Sequence, residues 1–278
     1  MLTIEDHRRD SAGLRYVYPV VSRRAGGVSV GINLNVNNAC NWACLYCQVD
    51  NLTRGGPPPV DLDLLERELT GFLEDVLHGD FMQRNVPESE RRLVDVAFSG
   101  NGEPTSADEF SAAVERVRQV LERFALAGKI PLRLITNGSL LHRPQVQAGI
   151  RSIGELDGEV WFKIDRGTPS AAAEVNLVTV DSGRVRRHLE IACGLAKTWV
   201  QTCWFALDGK APDADERAAY CALLAPLASR ITGIHLYGLA RPSMQAAAAR
   251  LSRVSASDLQ DFADEIEKKT GIRVMVSP

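Results

Sequence analysis

Six short segments of strand character recur along the chain, and a helical stretch follows each of them. They lie at 29–36 (SVGINLNV), 93–98 (LVDVAF), 132–137 (LRLITN), 160–165 (VWFKID), 198–205 (TWVQTCWF) and 234–239 (IHLYGL). This alternation leaves few folds open. Strands that each return through a helix run parallel, with the crossovers packed on the sheet. The clearest helix spans 107–127, where Phe110, Ala113, Val114, Val117, Val120, Leu121 and Phe124 form one apolar stripe. Ser106 with Glu109, Asp63 with Glu66, and Asp213 with Glu216 are expected as capping boxes at three helix starts. Pro57, Pro58 and Pro59 mark a loop. A chain of 278 residues can bury the core of a single α/β domain.

Parallel strands covered on both faces read as continuous apolar runs. Here one face of each strand is polar: Asn33 with Asn35, Asp95 with Ser99, Lys163 with Asp165, Gln201 with Cys203, and His235 with Tyr237. The α/β alternation argues against an antiparallel sheet with one solvated face. The polar face is therefore expected to line an interior cavity in a curved sheet wrapped by helices. Residues i and i+2 of a strand share a face, so Lys163 and Asp165 point inward together, while Phe162 and Ile164 pack outward. Such a pair can hold a cofactor, orient a substrate or transfer a proton. It can also simply neutralise itself, because buried charge without a partner is costly. Cys203 is a candidate catalytic thiol on that face, or a small buried one.

The stretch NNACNWACLYCQV, 37–49, follows the first strand, where parallel α/β folds carry their sites. Its three cysteines, Cys40, Cys44 and Cys47, are one short of a structural zinc site. The available fourth ligands are His78, far along the next helix, and Asp50. Three thiolates can instead hold a four-iron cubane and leave one iron open to another ligand. Cys193 and Cys221 fall on apolar helix stripes and read as core.

The triad with Tyr46 before its last cysteine, the Gly-Glu-Pro stretch of SGNGEPT (99–105) after the second strand, and the six βα units resemble the radical S-adenosylmethionine (radical SAM) superfamily. The resemblance covers about residues 29–241. It implies a partial (β/α)6 barrel with an N-terminal extension at 1–28 and a C-terminal helix and short strand at about 255–278. It also implies a [4Fe-4S] cluster on Cys40, Cys44 and Cys47 that cleaves S-adenosylmethionine to methionine and a hydrogen-abstracting 5′-deoxyadenosyl radical, with an electron from a low-potential donor such as flavodoxin or ferredoxin. Carried over residue by residue, Tyr46, Gly100, Asn101, Gly102 and Glu103 would meet the cofactor's methionine end; Asn101 stands between glycines that are adjacent in the family pattern. Asn137 and Ser139 would lie near the ribose, although turn chemistry also selects Asn-Gly. Lys163 and Gln201 would line the cofactor, and the backbone of Leu236 and Tyr237 the adenine, with Arg241 at the mouth.

The strand-four Lys/Asp and strand-six Arg-Pro look like the wyosine-synthesis branch, which acts on transfer RNA; a glycyl-radical activase, with a protein substrate, is the alternative. The non-enzymatic alternative is an iron–sulfur or zinc protein that only binds or senses. A net charge of −3 gives no global attraction to RNA, and Arg184, Arg186 and Arg187 read as a solvated helix face. The sequence holds no run of about 18 apolar residues and starts with a charged MLTIEDHRRD, so it is expected to act in the cytoplasm, with no membrane partner.

Overall fold

The computed structural model describes residues 12–22 and 26–277; MLTIEDHRRD lies outside them. Eight strands form one sheet in chain order: β1 Val17–Ser22, β2 Gly27–Ile32, β3 Leu93–Phe98, β4 Leu132–Thr136, β5 Glu159–Lys163, β6 Lys197–Cys203, β7 Gly233–Tyr237 and β8 Val274–Ser277. β1 is antiparallel to β2, and every later neighbour is parallel. The crossovers carry α1 Leu62–Leu77, α2 Phe110–Arg123, α3 Pro144–Glu155, α4 Pro169–Asn176 with α5 Ser182–Leu195, α6 Ala214–Leu224, and α7 Ala256–Thr270. β1 and β8 are the sheet's two edges, so it is open. Among the described residues no helix is long and apolar enough to cross a membrane.

The six expected strands are β2 to β7. Two edge strands extend them. β1, expected as part of an extension, pairs along all of β2 and sets Tyr18 opposite Gly31. β2 ends at Ile32, so Asn33 and Asn35, expected inside the strand, lie in the loop that follows it.

The outward face of the sheet is apolar, with Ile32, Phe98, Leu134, Val160, Phe162 and Val200 fully buried against the helices. Each such side chain contributes about 1.5–3 kcal/mol when removed from water. The α2 stripe packs as expected, although the helix begins at Phe110 and ends at Arg123. None of the three expected capping boxes forms in full. Ser106 lies in a 3-10 turn with Pro104, and its hydroxyl donates to the Glu103 carbonyl at 2.6 Å, which removes it from α2. Asp61 caps α1 in place of Asp63, accepting from the Leu64 amide at 2.9 Å, while Asp63 and Glu66 pair with Arg116 of α2. Asp213 does cap α6, but Glu216 turns inward and accepts from the Gly167 and Thr168 amides. Cys193 and Cys221 pack with the core, as their helix stripes indicate.

Candidate active site

The inward face of the sheet surrounds a cavity of about 380 Å³, with walls from every strand, from Tyr18 on β1 through Lys163 at the centre to Ser277 on β8. That volume lies in the range of small-molecule sites, about 300–1,000 Å³. The loop after β2 closes it at the C-terminal ends of the strands and brings Cys40, Cys44 and Cys47 to its wall.

Carboxamides hold this loop in place. Asn33 Oδ1 accepts from the amides of Asn35 (3.1 Å) and Asn101 (3.0 Å). Asn35 Nδ2 donates to the Ala39 carbonyl at 2.9 Å. Asn38, in the left-handed region with φ 55°, donates to the Asp50 carbonyl and accepts from Asn101 Nδ2 at 2.7 Å. Asn41 bridges to Asn137 and Ser139, each at 2.8 Å. On its other side the loop rests on the end of α4: the Ala43 and Leu45 amides donate to the carbonyls of Asn176 (3.3 Å) and Val175 (2.8 Å), and Asn176 Nδ2 donates to Cys44 Sγ at 3.2 Å.

Burial raises the Cys40 thiol to about 11, against a hydrogen bond from the Trp42 amide, and raises Cys44 to about 12, with nearby Asp165 adding to the effect. Both thiols are protonated at neutral pH, so a metal must displace their protons. Among the described residues no three His, Cys, Asp or Glu side chains converge on a point that could hold one metal ion. His78 and Asp50 are exposed at the end of α1 and on the loop surface. A zinc centre built with either has no geometric basis. A cubane asks for something else, three thiolates that each take their own iron, and Cys40, Cys44 and Cys47 all stand on the wall of this one cavity. The cavity also holds an orphan acceptor, Gln201 Oε1, which is buried without a hydrogen-bond partner and so suits a bound polar ligand.

The loop after β3 fits tightly under the cysteines. A Cβ on Gly100, whose φ is 140°, would stand 2.4 Å from Asn33 Oδ1, and one on Gly102 would stand 2.1 Å from the Ala39 carbonyl. No other residue type allows this approach. Glu103 lines the cavity, buried, and its carboxyl is pushed above the usual carboxylate range by that burial. Four donors meet it: Thr105 N (3.2 Å), Thr105 Oγ1 (2.6 Å) and Thr136 Oγ1 (2.6 Å) on Oε1, and Asn137 N (2.6 Å) on Oε2. Oε2 thus keeps capacity for another donor.

The remaining sequence-derived residues divide. Lys163, Gln201, Cys203, Tyr237 and Arg241 line the cavity, as do Tyr46, Asn101 and Asn137. Ser139 does not. It faces an adjoining cavity of about 250 Å³ beneath 178–181, and its amide closes a turn onto Asn137 Oδ1 at 3.0 Å. Alternation along β7 turns the Leu236 side chain into the core, and Tyr237 with Gly238 to Arg241 supplies the cavity wall at that strand's end. Lys163 lines the cavity, whereas Asp165, past the end of β5 at Lys163, lines the adjoining cavity with Ile164, and the two form no direct ion pair. Lys163 Nζ is 3.3 Å from the Tyr237 hydroxyl and 4.9 Å from the Tyr46 ring centre. Burial opposes its charge, but Tyr237 and Asp165 outweigh that and hold it above the usual lysine range. Asp165 is buried and accepts from Tyr46 Oη and Asn176 Nδ2 (2.9 Å) on Oδ2, and from the Cys203 amide (3.0 Å) on Oδ1.

Sequence reasoning missed Tyr18, Trp161 and Asn176. Tyr18 lies on the unexpected strand, and Trp161 reads as an apolar strand residue. Asn176 ends a helix with no motif; the only available signal was an asparagine just before a left-handed C-cap, Leu177 with φ 51°.

No family model matches the chain. It is 28% identical over 156 residues to UPF0026 protein MJ1312 of Methanocaldococcus jannaschii, a match covering 53% of this chain and 43% of that protein. It is 27% identical over 132 residues to a Brachyspira hyodysenteriae protein named GTPase Obg, covering 48% of this chain and 17% of that protein. The chain spans less than half the length of these curated relatives. Among solved structures it superposes on a radical SAM methyltransferase from Sphaerobacter thermophilus with a TM-score of 0.63 at 16% identity, covering 94% of this chain and 68% of that one. Coproporphyrinogen III oxidase (HemN) from Escherichia coli, a radical SAM enzyme, gives 0.52 at 13% identity, covering 86% and 51%. At such identities the likeness is one of fold. With strands in this order around one cavity and a cysteine triad on its wall, the chain has the fold of the radical SAM superfamily.

Proposed function

We propose that the chain is a radical SAM enzyme in which Cys40, Cys44 and Cys47 hold a [4Fe-4S] cluster and the adjoining cavity holds S-adenosylmethionine. The observation that carries this reading is the three thiols on the wall of a cavity that also presents an unpartnered acceptor, Gln201 Oε1. When bound, cluster and cofactor supply a one-electron cleavage that yields methionine and a hydrogen-abstracting carbon radical, the electron coming from a low-potential donor of the flavodoxin or ferredoxin kind. The chain's own residues then bind, orient and shield. Lys163 presents a positive charge to a carboxylate, Glu103 presents Oε2 to an ammonium group, and Gln201 accepts from a hydroxyl or amine. The sheet and the loop after β2 wall in the site and restrict what can reach a reactive radical.

The test is anaerobic reconstitution with iron and sulfide, then reduction in the presence of S-adenosylmethionine. About four irons and four sulfides per chain are expected, together with 5′-deoxyadenosine and methionine as products. A full cluster that forms no 5′-deoxyadenosine would overturn the reading. Glu103→Gln places an N–H where only acceptors fit, against Asn137 N or Thr105 N. It is expected to weaken S-adenosylmethionine binding about 10- to 100-fold, a loss of roughly 1.4–2.7 kcal/mol, with iron content unchanged. Equilibrium binding checks this, and unaltered affinity removes Glu103 from the site.

A further inference from the structure

We infer that Asn176, at the end of α4, sets the reduction potential of the cluster through its hydrogen bond to Cys44. The inference rests on the cluster reading above. Cys44 is held from both sides by α4: its neighbours Ala43 and Leu45 donate to the Asn176 and Val175 carbonyls, and Asn176 Nδ2 lies 3.2 Å from its sulfur. The same nitrogen donates to Asp165 Oδ2 at 2.9 Å, an oxygen that also accepts from the Tyr46 hydroxyl. Its two hydrogens are thereby aimed, one at the thiol and one at the carboxylate, and Asn176 is buried, so water does not compete for them. The other sulfur that accepts an N–H is Cys40, from the Trp42 backbone at 3.5 Å, a contact that substitution does not remove. Among the described residues, Asn176 is thus the side chain that donates an N–H to a ligand sulfur.

The physical effect has a definite sign. An N–H donated to a ligating thiolate draws negative charge off the sulfur, and the reduced cluster, carrying one more electron, gains most from that. Without the donor the oxidised state is favoured and the potential falls. Asn176 acts here as a positioning residue, through Cys44, and touches no reacting atom.

The experiment compares reconstituted wild type with Asn176→Leu, which keeps volume without a donor, and Asn176→Ala, in redox titrations followed by the paramagnetic signal of the reduced cluster. At the wild-type midpoint, the ratio of reduced to oxidised cluster in both variants is expected to drop about three- to ten-fold, a negative shift of roughly 30–60 mV for a one-electron couple. Iron content should stay at the wild-type level. Equal potentials in all three proteins overturn the inference and leave the cluster reading standing. Loss of the cluster in both variants, with far-ultraviolet circular dichroism unchanged, assigns Asn176 to assembly and also overturns it. A wild-type chain that takes up no cluster refutes the underlying reading, and this inference with it.

Discussion

Replacing Cys44 with alanine is expected to remove bound iron while leaving the fold intact. A cubane on three thiolates has no spare ligand in its own loop, which holds no fourth cysteine between residues 33 and 54. The loop itself does not depend on this sulfur. Its position comes from the Ala43 and Leu45 amides on α4, the asparagine bonds and the short pairing of Ala39–Cys40 with Thr53–Arg54. Removing a half-buried thiol costs about 1 kcal/mol, in line with an ordinary point substitution. Iron should therefore fall from about four per chain to near zero, with thermal unfolding of the unloaded chain little changed. Iron assay and calorimetry on the same preparation check both halves. Retained iron at full stoichiometry would show that the triad is not the ligand set.

The second large effect is expected at Lys163. Its ammonium group stands in the cavity wall over the Tyr46 ring, near the Tyr237 hydroxyl, and stays charged despite burial. Lys163→Ala leaves no stranded anion behind, because Asp165 keeps its three donors from Tyr46, Asn176 and Cys203. The folding cost is then mainly the cation–π contact, about 0.5–2 kcal/mol. Loss of a preorganised charge from the cavity wall costs catalysis more, about 10²–10³ in rate. Formation of 5′-deoxyadenosine is expected to slow by that factor with only a small drop in Tm, and Lys163→Arg should recover part of it. Parallel losses of rate and stability would reduce Lys163 to a structural cation.

Much of this was legible in the chain, for identifiable reasons. The period-2 polarity of the strands predicted the cavity face for Lys163, with Phe162 turned out into the core, but Asp165 lies past the strand's end, where alternation no longer holds, and faces the adjoining cavity. β1 was hidden, since VYPVVS contains a proline and carries no helix after it; the antiparallel edge tolerates Pro19. Helix starts were read from spacing alone, and competing partners decided them: the Glu103 carbonyl took Ser106, and Arg116 took Asp63 and Glu66. At the site, strand and motif residues could be placed from their own neighbourhood. Asn176 could not, because its meaning depends on a thiol 132 positions away, a pairing that only the packing of α4 against the loop creates.

The fastening of the cysteine loop by asparagines has an electrostatic consequence. Asn33, Asn35, Asn38, Asn41, Asn101 and Asn137 lock three loops together without a single formal charge. Ion pairs could supply the same rigidity, but they would place fixed charges beside a centre whose potential follows its local charge, and their strength would change with acidity and salt. A carboxamide neither gains nor loses a proton across the physiological range. The asparagines therefore add no titrating charge of their own, and the response of the proposed centre to pH and salt is left to the few charged groups in and beside these loops, Glu103, Arg54 and Lys163 among them.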